Sequence, residues 1–184
     1  MTKTPPLPRG DRVHLRRPTA RDRDRFIEAV KVSRSLHGSW VHAPGDAQSF
    51  AAFLRRAHTA TDERVMVCRN EDGAIVGTYH LSQIFRGPFR NAYLGYYAFV
   101  PFAGQGYMRE GLALLLKHAF GPLGLHRVEA NIQPGNTASI ALVKGAGFRL
   151  EGFSPRYLKV AGRWRDHERW AITVEDVRGE RQTA

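Results

Sequence analysis

The sequence is short of cysteine, and this shortage excludes whole classes of protein. Its 184 residues include a single cysteine, Cys68, inside an apolar run. One thiol cannot form an internal disulfide, and it leaves no Cys-x-x-Cys pair or Cys/His cluster that would predict a metal site. We therefore predict that Cys68 is a buried structural thiol and that the protein uses no metal.

Long apolar runs are also missing. No stretch is long enough to span a bilayer, and residues 1–10 are rich in proline and lack the apolar segment of a signal peptide. We therefore expect a cytoplasmic protein. We also expect residues 1–10 to form a flexible basic arm, residues 11–174 to form one domain, and residues 175–184 to form a charged tail.

Negative charge is the third shortage. The chain has 28 Lys and Arg against 17 Asp and Glu, a net charge of +11. This excess favours a polyanionic partner, and the alternative is a solvated basic surface. The aromatic residues lie in apolar runs and are not interleaved with basic ones, so a dedicated nucleic-acid binder is not predicted.

The chain is organised around residues 93–121. Residues 93–100 form an apolar and aromatic run of strand length, which Pro101 ends. Gly104 and Gly106 follow, and apolar residues then recur at helical spacing up to residue 120. The pattern predicts a strand, a glycine loop and a helix.

Such a unit suits a phosphate-bearing ligand, because unpaired N–H groups and the positive end of the helix dipole meet at the loop. A Walker A loop would need Gly-Lys-Ser/Thr, which is missing after Gly106. A Rossmann loop would need a third glycine, where this chain has Arg109. The sequence therefore predicts neither of these two nucleotide sites.

Residues 103–108 instead resemble the pyrophosphate loop of the GCN5-related N-acetyltransferases (GNAT), with the pattern Gln/Arg-x-x-Gly-x-Gly/Ala. Ala103 replaces the polar first residue of the pattern, and Met108 replaces the small last one. Residues 125–152 resemble the second half of the GNAT core, with a strand, a helix that begins at an asparagine, and Gly-Phe-x-x-Glu-Gly. The resemblance implies a mixed α/β fold (α+β), with a mostly antiparallel sheet of about seven strands and a splayed parallel pair at the cofactor site.

Within this family, residues 12–18, 93–96 and 162–167 resemble the bacterial ribosomal-protein alanine/serine N-terminal acetyltransferases, the RimJ/RimL-like group. That resemblance implies transfer of an acetyl group from acetyl-CoA to the α-amine of a protein N-terminus, by direct attack. The three phosphate groups of CoA, or a ribosomal surface, would then be the polyanionic partner. The sequence leaves the oligomeric state open between monomer and homodimer.

The resemblance also implies the cofactor-binding residues. Backbone N–H groups of Phe99 and Val100 would hold the pantetheine arm, and Asn136 would contact the arm through its side chain. The N–H groups that would hold the pyrophosphate belong to Gly104, Gln105, Gly106 and Met108. Ser139 matches the family serine that contacts the cofactor and can donate a proton to the departing sulfur.

The general base is less clear from the sequence. Many relatives carry a glutamate where this chain has Tyr93, and a tyrosine with a pKa near 10 is a poor base at neutral pH. Glu151 is the nearest matching carboxylate, and the alternative is that it pairs with a basic neighbour such as Arg149. A water molecule could also take the proton. We keep Ser139, Glu151 and Tyr93 as the candidate catalytic residues.

Two other functions stay open at this stage. One is acetylation of a small amine such as an aminoglycoside or an amino acid, which would require an acidic acceptor pocket. The other is a non-catalytic acyl-CoA-binding module, suggested by the missing glutamate. The basic residues around residues 157–167 favour a peptide acceptor over a cationic drug.

Overall fold

A computed structural model describes residues 6–179, and within them the chain forms one seven-stranded sheet with helices on both faces. The strands are β1 (Val13–Arg16), β2 (Glu63–Arg69), β3 (Ile75–Ser82), β4 (Asn91–Ala98), β5 (Arg127–Ile132), β6 (Arg149–Val160) and β7 (Arg163–Thr173). They lie in the order β1-β2-β3-β4-β5-β7-β6, and only β4 and β5 are parallel neighbours. This mixed, mostly antiparallel sheet confirms the predicted fold class.

Polar caps determine where two of the helices begin. The helices are α1 (Arg23–Val32), α2 (Arg34–His37), α3 (Ala47–Arg55), α4 (Tyr107–Phe120), α5 (Thr137–Gly145) and α6 (Val174–Arg178). The Ser49 N–H donates to the Asp46 carboxylate at 2.8 Å before α3, and the Ser139 N–H donates to the Asn136 side chain at 3.2 Å before α5. Each cap satisfies a backbone donor that the helix itself leaves free.

Two hydrophobic clusters lie on opposite faces of the sheet. Successive side chains of a strand alternate between faces, so β2 sends Val65 and Val67 to one cluster and Met66 and Cys68 to the other. Side chains of α4 and α5 pack in the first cluster, and side chains of α1 and α3 pack in the second. Cys68 is fully buried, and burial raises the pKa of its thiol, which confirms the predicted structural role.

The parallel strands β4 and β5 stay paired over only part of their length. Their register runs from Asn91 opposite Arg127 to Tyr93 opposite Glu129. Beyond these pairs β4 continues to Ala98 and β5 to Ile132 without pairing to each other. The two strands therefore part, as the family resemblance implied, and the opening connects the two faces of the sheet.

Both ends of the described chain are more ordered than the sequence suggested. Residues 1–5 of the expected arm and residues 180–184 of the expected tail lie outside the described part. Arg9 forms a bridge with His14, and the Leu15 N–H donates to the Pro8 carbonyl at 3.0 Å. The tail begins as the short helix α6, where Asp176 pairs with Arg149. Across residues 6–179, we find no helix with the length and apolar character needed to cross a bilayer.

Candidate active site

A cleft of about 1080 Å³ opens where β4 and β5 part. Its lining includes the loop before α4 and the start of α5 on one side. On the other side it includes the segment after α2 and the β6–β7 hairpin. A ligand that enters beside α4 can thus meet a second ligand that lies on the opposite face of the sheet.

The loop before α4 is open to an anion. Gly104 and Gly106 have φ angles of 78° and 82°, which glycine adopts without strain. Within residues 6–179, no protein acceptor lies in hydrogen-bonding range of the backbone N–H groups of residues 103–108. A Cβ atom built on Gly104 would meet no atom within 4 Å, so the loop has room for a phosphate. The free N–H groups and the dipole of the 14-residue helix α4 fit a pyrophosphate.

Two arginines that were not predicted as site residues lie beside this loop. The Arg12 guanidinium donates to the Gln105 carbonyl from both terminal nitrogens, each at 3.2 Å, and lies 4.1 Å above the centre of the Tyr107 ring. Arg109 lines the cleft directly after the loop. Its position beside Gly106 could have indicated a phosphate contact, whereas nothing in the sequence links Arg12 to residues about ninety positions away. Both add positive charge where a pyrophosphate would bind.

Ser139 lies in the cleft and is hydrogen-bonded to a tyrosine. Its hydroxyl is 2.5 Å from the Tyr96 hydroxyl, and Asn136, which caps the same helix, also lines the cleft. Burial raises the pKa of Tyr96 to about 12, against the opposing effect of the hydrogen bond with Ser139. Tyr96 therefore keeps its proton at neutral pH and can share it with Ser139.

The opposite half of the cleft is aromatic and rich in histidine. Trp40 forms part of its wall, and the histidines that line it are His37, His42, His80 and His167. Burial, reinforced by the charge of Arg64, lowers the pKa of His80 to about 4. No aspartate or glutamate is among the residues that line the cleft, all of which lie in the described part of the chain.

This chain resembles known proteins in both sequence and structure. Residues 12–149 match the family described as acetyltransferase (GNAT) domain. The chain belongs to the GNAT acetyltransferase family. The match covers most of the chain, so this GNAT protein is an acetyl-CoA-dependent acyltransferase, and an acyl-CoA-binding module without activity is set aside.

Relatives of this GNAT enzyme support the RimJ/RimL-like group. It is 38% identical over 151 residues to a probable N-acetyltransferase, YjcK, of Bacillus subtilis, with 82% of each chain covered. It is 35% identical over 106 residues to the [ribosomal protein uS5]-alanine N-acetyltransferase of Escherichia coli, which covers 58% of this chain and 55% of that protein. The solved structure of Mycobacterium smegmatis RimJ in complex with CoA-disulfide has a TM-score of 0.81 and 30% identity, and the match covers 90% of this chain and 83% of that one.

The fold is also shared with an enzyme named for a different acceptor. A structure of spermidine N-acetyltransferase from Vibrio cholerae matches with a TM-score of 0.75 and 22% identity, over 90% of this chain and 97% of that one. At that identity the match shows the fold alone. The acceptor of this GNAT enzyme has to be inferred from the side chains of its own cleft.

The structure corrects the placement of Phe99 and Val100. Neither residue lines the cleft. The Phe99 N–H donates to the Val76 carbonyl of β3 at 2.9 Å, and the Val100 N–H donates to the Ser33 hydroxyl at 3.0 Å. Both groups already have partners inside the protein, so the structure does not support their predicted contact with the pantetheine arm.

The strand ladder shows which N–H groups face the opening. In an antiparallel ladder, alternate residues bond to the same neighbour. Because Phe99 bonds to β3, the backbone groups of Tyr96 and Ala98 point to the opposite edge of β4, and both residues line the cleft. The Ala98 carbonyl accepts from His37 Nε2 at 2.8 Å, which agrees with this direction. The strand itself was predicted correctly from the sequence, but the edge that each residue faces was not.

Tyr93 and Glu151, the two candidate bases, have different surroundings in the structure. Tyr93 lines the cleft, but partial burial raises the pKa of its hydroxyl, so it stays protonated at neutral pH. Glu151 does not line the cleft. Hydrogen bonds from Arg127 hold its carboxylate and lower its pKa, and Arg149 lies 3.4 Å away. The Glu151 carboxylate is thus paired with arginine, whereas Ser139 lines the cleft.

No group of three or more His, Cys, Asp or Glu side chains in residues 6–179 is arranged to hold a metal ion. The GNAT family uses acetyl-CoA, and the open loop at residues 103–108 together with Arg12 and Arg109 fits the phosphates of that molecule.

We expect Gly106→Val to weaken CoA binding at least tenfold while the protein still folds. Valine at a φ of 82° is strained by about 1–2 kcal/mol and should shift the loop N–H groups out of position. Isothermal titration calorimetry with CoA measures the effect. Gly124→Val is a matched control, since Gly124 also has a positive φ, of 63°, but follows the opposite end of α4. Equal CoA affinity in folded Gly106→Val would contradict a phosphate site at this loop.

Proposed function

We propose that this GNAT enzyme acetylates the α-amine at the N-terminus of a ribosomal protein that starts with Ala or Ser. The observation that carries the proposal is that, within residues 6–179, no carboxylate is part of the lining of the cleft. A polyamine or an aminoglycoside carries several positive charges, and a site that binds one needs acidic groups to offset them. A peptide N-terminus presents one amine, which is partly neutral at pH 7 because its pKa is about 8.

The charge of the whole chain supports the same choice. With a net charge of +11, the protein repels small polycations at long range and attracts polyanions. A ribosomal protein on or near RNA presents its N-terminus within a negative field, which favours encounter with a basic enzyme. The relatives named for ribosomal protein uS5 and RimJ support this acceptor class.

The cofactor half of the cleft accounts for the binding of acetyl-CoA. The N–H groups of Gly104, Gln105, Gly106 and Met108 would hold the pyrophosphate, with Arg12 nearby. The N–H groups of Tyr96 and Ala98 face the opening and would hold the pantetheine arm. When bound, acetyl-CoA supplies an acetyl thioester, whose carbonyl carbon an amine can attack directly.

Ser139 and Tyr96 then stabilise the departing sulfur. Tyr96 stays protonated and is bonded to Ser139, so the pair can donate a proton or a hydrogen bond toward the thiolate. The proton of the amine can leave to water. Among the described residues no carboxylate lines the cleft, and Tyr93 is protonated. Cys68 is buried outside the cleft, which agrees with transfer without a covalent enzyme intermediate.

We expect peptides that begin with Ala or Ser to have a higher kcat/KM than a Leu-starting peptide, and a far higher one than spermidine. A small first side chain lets the amine approach the acetyl carbon to the roughly 3 Å of a reactive geometry. Release of free CoA thiol, followed with a chromogenic disulfide, measures each rate. Each peptide with its N-terminus already acetylated is the control, because it measures acetylation of lysine side chains and hydrolysis of acetyl-CoA. Faster acetylation of spermidine than of every peptide would overturn the proposed acceptor.

A further inference from the structure

His80 lies in the acceptor half of the cleft at the point where the sheet opens. It is on β3 directly opposite Gly95 of β4, and Gly95 is two residues beyond the last β4–β5 pair. A Cβ atom built on Gly95 would lie 2.0 Å from His80 Nε2. The imidazole therefore occupies the space that a side chain at residue 95 would fill, and it reaches over β4 into the cleft.

The surroundings of the two ring nitrogens determine where the proton of this neutral imidazole resides. Nδ1 of His80 is buried and has no hydrogen-bond partner among the described residues. Nε2 is not among the buried unpaired atoms, and it lies on the side of the ring that faces Gly95 and the cleft. Burying an N–H without an acceptor costs more free energy than burying a lone pair without a donor. Nδ1 therefore carries the lone pair, and the proton is on Nε2.

A fixed Nε2–H donor in this place needs an acceptor from the ligand. The ring stays neutral because burial and Arg64 lower its pKa to about 4, so it offers a donor without adding a charge that would repel an amine. In a peptide the first carbonyl is separated from the α-amine by one carbon, the α-carbon, whereas a polyamine has only methylene groups near each amine. A donor beside the reacting amine can thus recognise a peptide by its first carbonyl.

We infer that His80 is a specificity-determining residue, which donates its Nε2–H to the carbonyl oxygen of the acceptor's first residue. This inference rests on the proposed function, since it assumes a peptide acceptor. It assigns His80 to the binding of the acceptor and to no proton transfer. This role can be tested by a double-mutant cycle, in which a change at His80 is combined with removal of the carbonyl from the peptide.

The experiment compares two acceptors in wild type and in His80→Phe. One is an Ala-starting hexapeptide, and the other replaces its first peptide bond by an (E)-alkene, which lacks the carbonyl but adds no charge. We expect loss of the carbonyl to lower kcat/KM about tenfold in wild type and less than twofold in His80→Phe. Any change that the alkene causes in the amine pKa is the same for both enzymes and cancels.

Three further variants make the result specific. His80→Gln, whose amide can still donate, should keep most of the preference for the carbonyl peptide. Gly95→Ala keeps the histidine but forces its ring out of place, so it should lose the preference even if His80→Phe does not fold. His126→Phe is the matched control, because His126 pairs with Glu175 and does not line the cleft. It should behave as wild type.

The tautomer provides a readout that does not depend on activity. Long-range ¹H–¹⁵N spectra of the wild-type protein should show a protonated Nε2 and an unprotonated Nδ1 for His80, unchanged between pH 5 and 8. A proton on Nδ1, or equal losses for the alkene peptide in wild type and in His80→Phe, would overturn the inference. If wild type does not acetylate the Ala-starting peptide at all, the proposed function is wrong. If wild type acetylates the peptide but the effects of His80→Phe and of the missing carbonyl simply add, only the role of His80 is refuted.

Discussion

Ser139→Ala should lower turnover by roughly ten- to a thousandfold and leave the affinity for CoA nearly unchanged. The hydroxyl is 2.5 Å from the Tyr96 hydroxyl and lines the cleft, so its removal breaks the path of the proton toward the departing sulfur. The Ser139 N–H still donates to Asn136, so α5 keeps its cap. Steady-state kinetics with an Ala-starting peptide, together with calorimetry of CoA binding, measures the two effects separately.

Tyr96→Phe tests whether the two hydroxyls act as a unit. It should also slow turnover, and the double variant should be no slower than Ser139→Ala alone, because each change breaks the same chain of hydrogen bonds. Thr137→Ala is the control, since Thr137 is an exposed hydroxyl residue in the first turn of the same helix and does not line the cleft. Turnover of Ser139→Ala equal to that of Thr137→Ala would show that Ser139 is only part of the helix surface.

Glu63→Gln should lower the free energy of unfolding at pH 7 by about 3–5 kcal/mol. The Glu63 side chain is 1% exposed, and its carboxylate pairs with Arg17 at 2.8 Å and with His58 at 2.5 Å. Removing its charge leaves the Arg17 guanidinium without a partner in a partly buried position. Urea unfolding measures the loss. Glu71→Gln is the matched control, because Glu71 is 78% exposed and its pair with Arg69 should contribute less than about 1 kcal/mol.

The same carboxylate predicts how stability depends on pH. Burial by itself would raise the pKa of Glu63, but His118, His58 and the charge of Arg17 outweigh burial, so its pKa in the folded protein is lowered. A lowered pKa means that the stability is present above the ordinary value of 4.5 and is lost as the pH falls below it. The difference in unfolding free energy between wild type and Glu63→Gln should therefore shrink below pH 4.5. A constant difference between pH 7 and pH 3 would contradict this account.

Features that are local in the chain were predictable from the sequence. The apolar run before Pro101, the glycines at 104 and 106 and the helical spacing after them predicted β4, the open loop and α4. The cap at Asn136 and the nearby Ser139 were predictable as well, because a helix start depends on a few consecutive residues.

Features that depend on contacts across the sheet were not predictable. The Phe99 N–H, one residue beyond β4, points toward β3 because it donates to the Val76 carbonyl. A shift of one residue in the register would turn this N–H to the opposite edge. Glu151 has the chemistry of a base, but Arg127, which is 24 positions away, holds its carboxylate outside the cleft. No short pattern in the sequence records either contact.

The sequence by itself determined the family, the cofactor loop and the strand–loop–helix unit, because these depend on the order of neighbouring residues. Only the tertiary structure decided the character of the acceptor half. There β3, β4, the segment after α2 and the β6–β7 hairpin bring histidines and aromatic residues together, with no carboxylate from the described part of the chain. His80 shows the reason. Its place at the opening follows from the register that sets it opposite Gly95, a glycine that leaves room for its ring, and the folded sheet alone fixes that register.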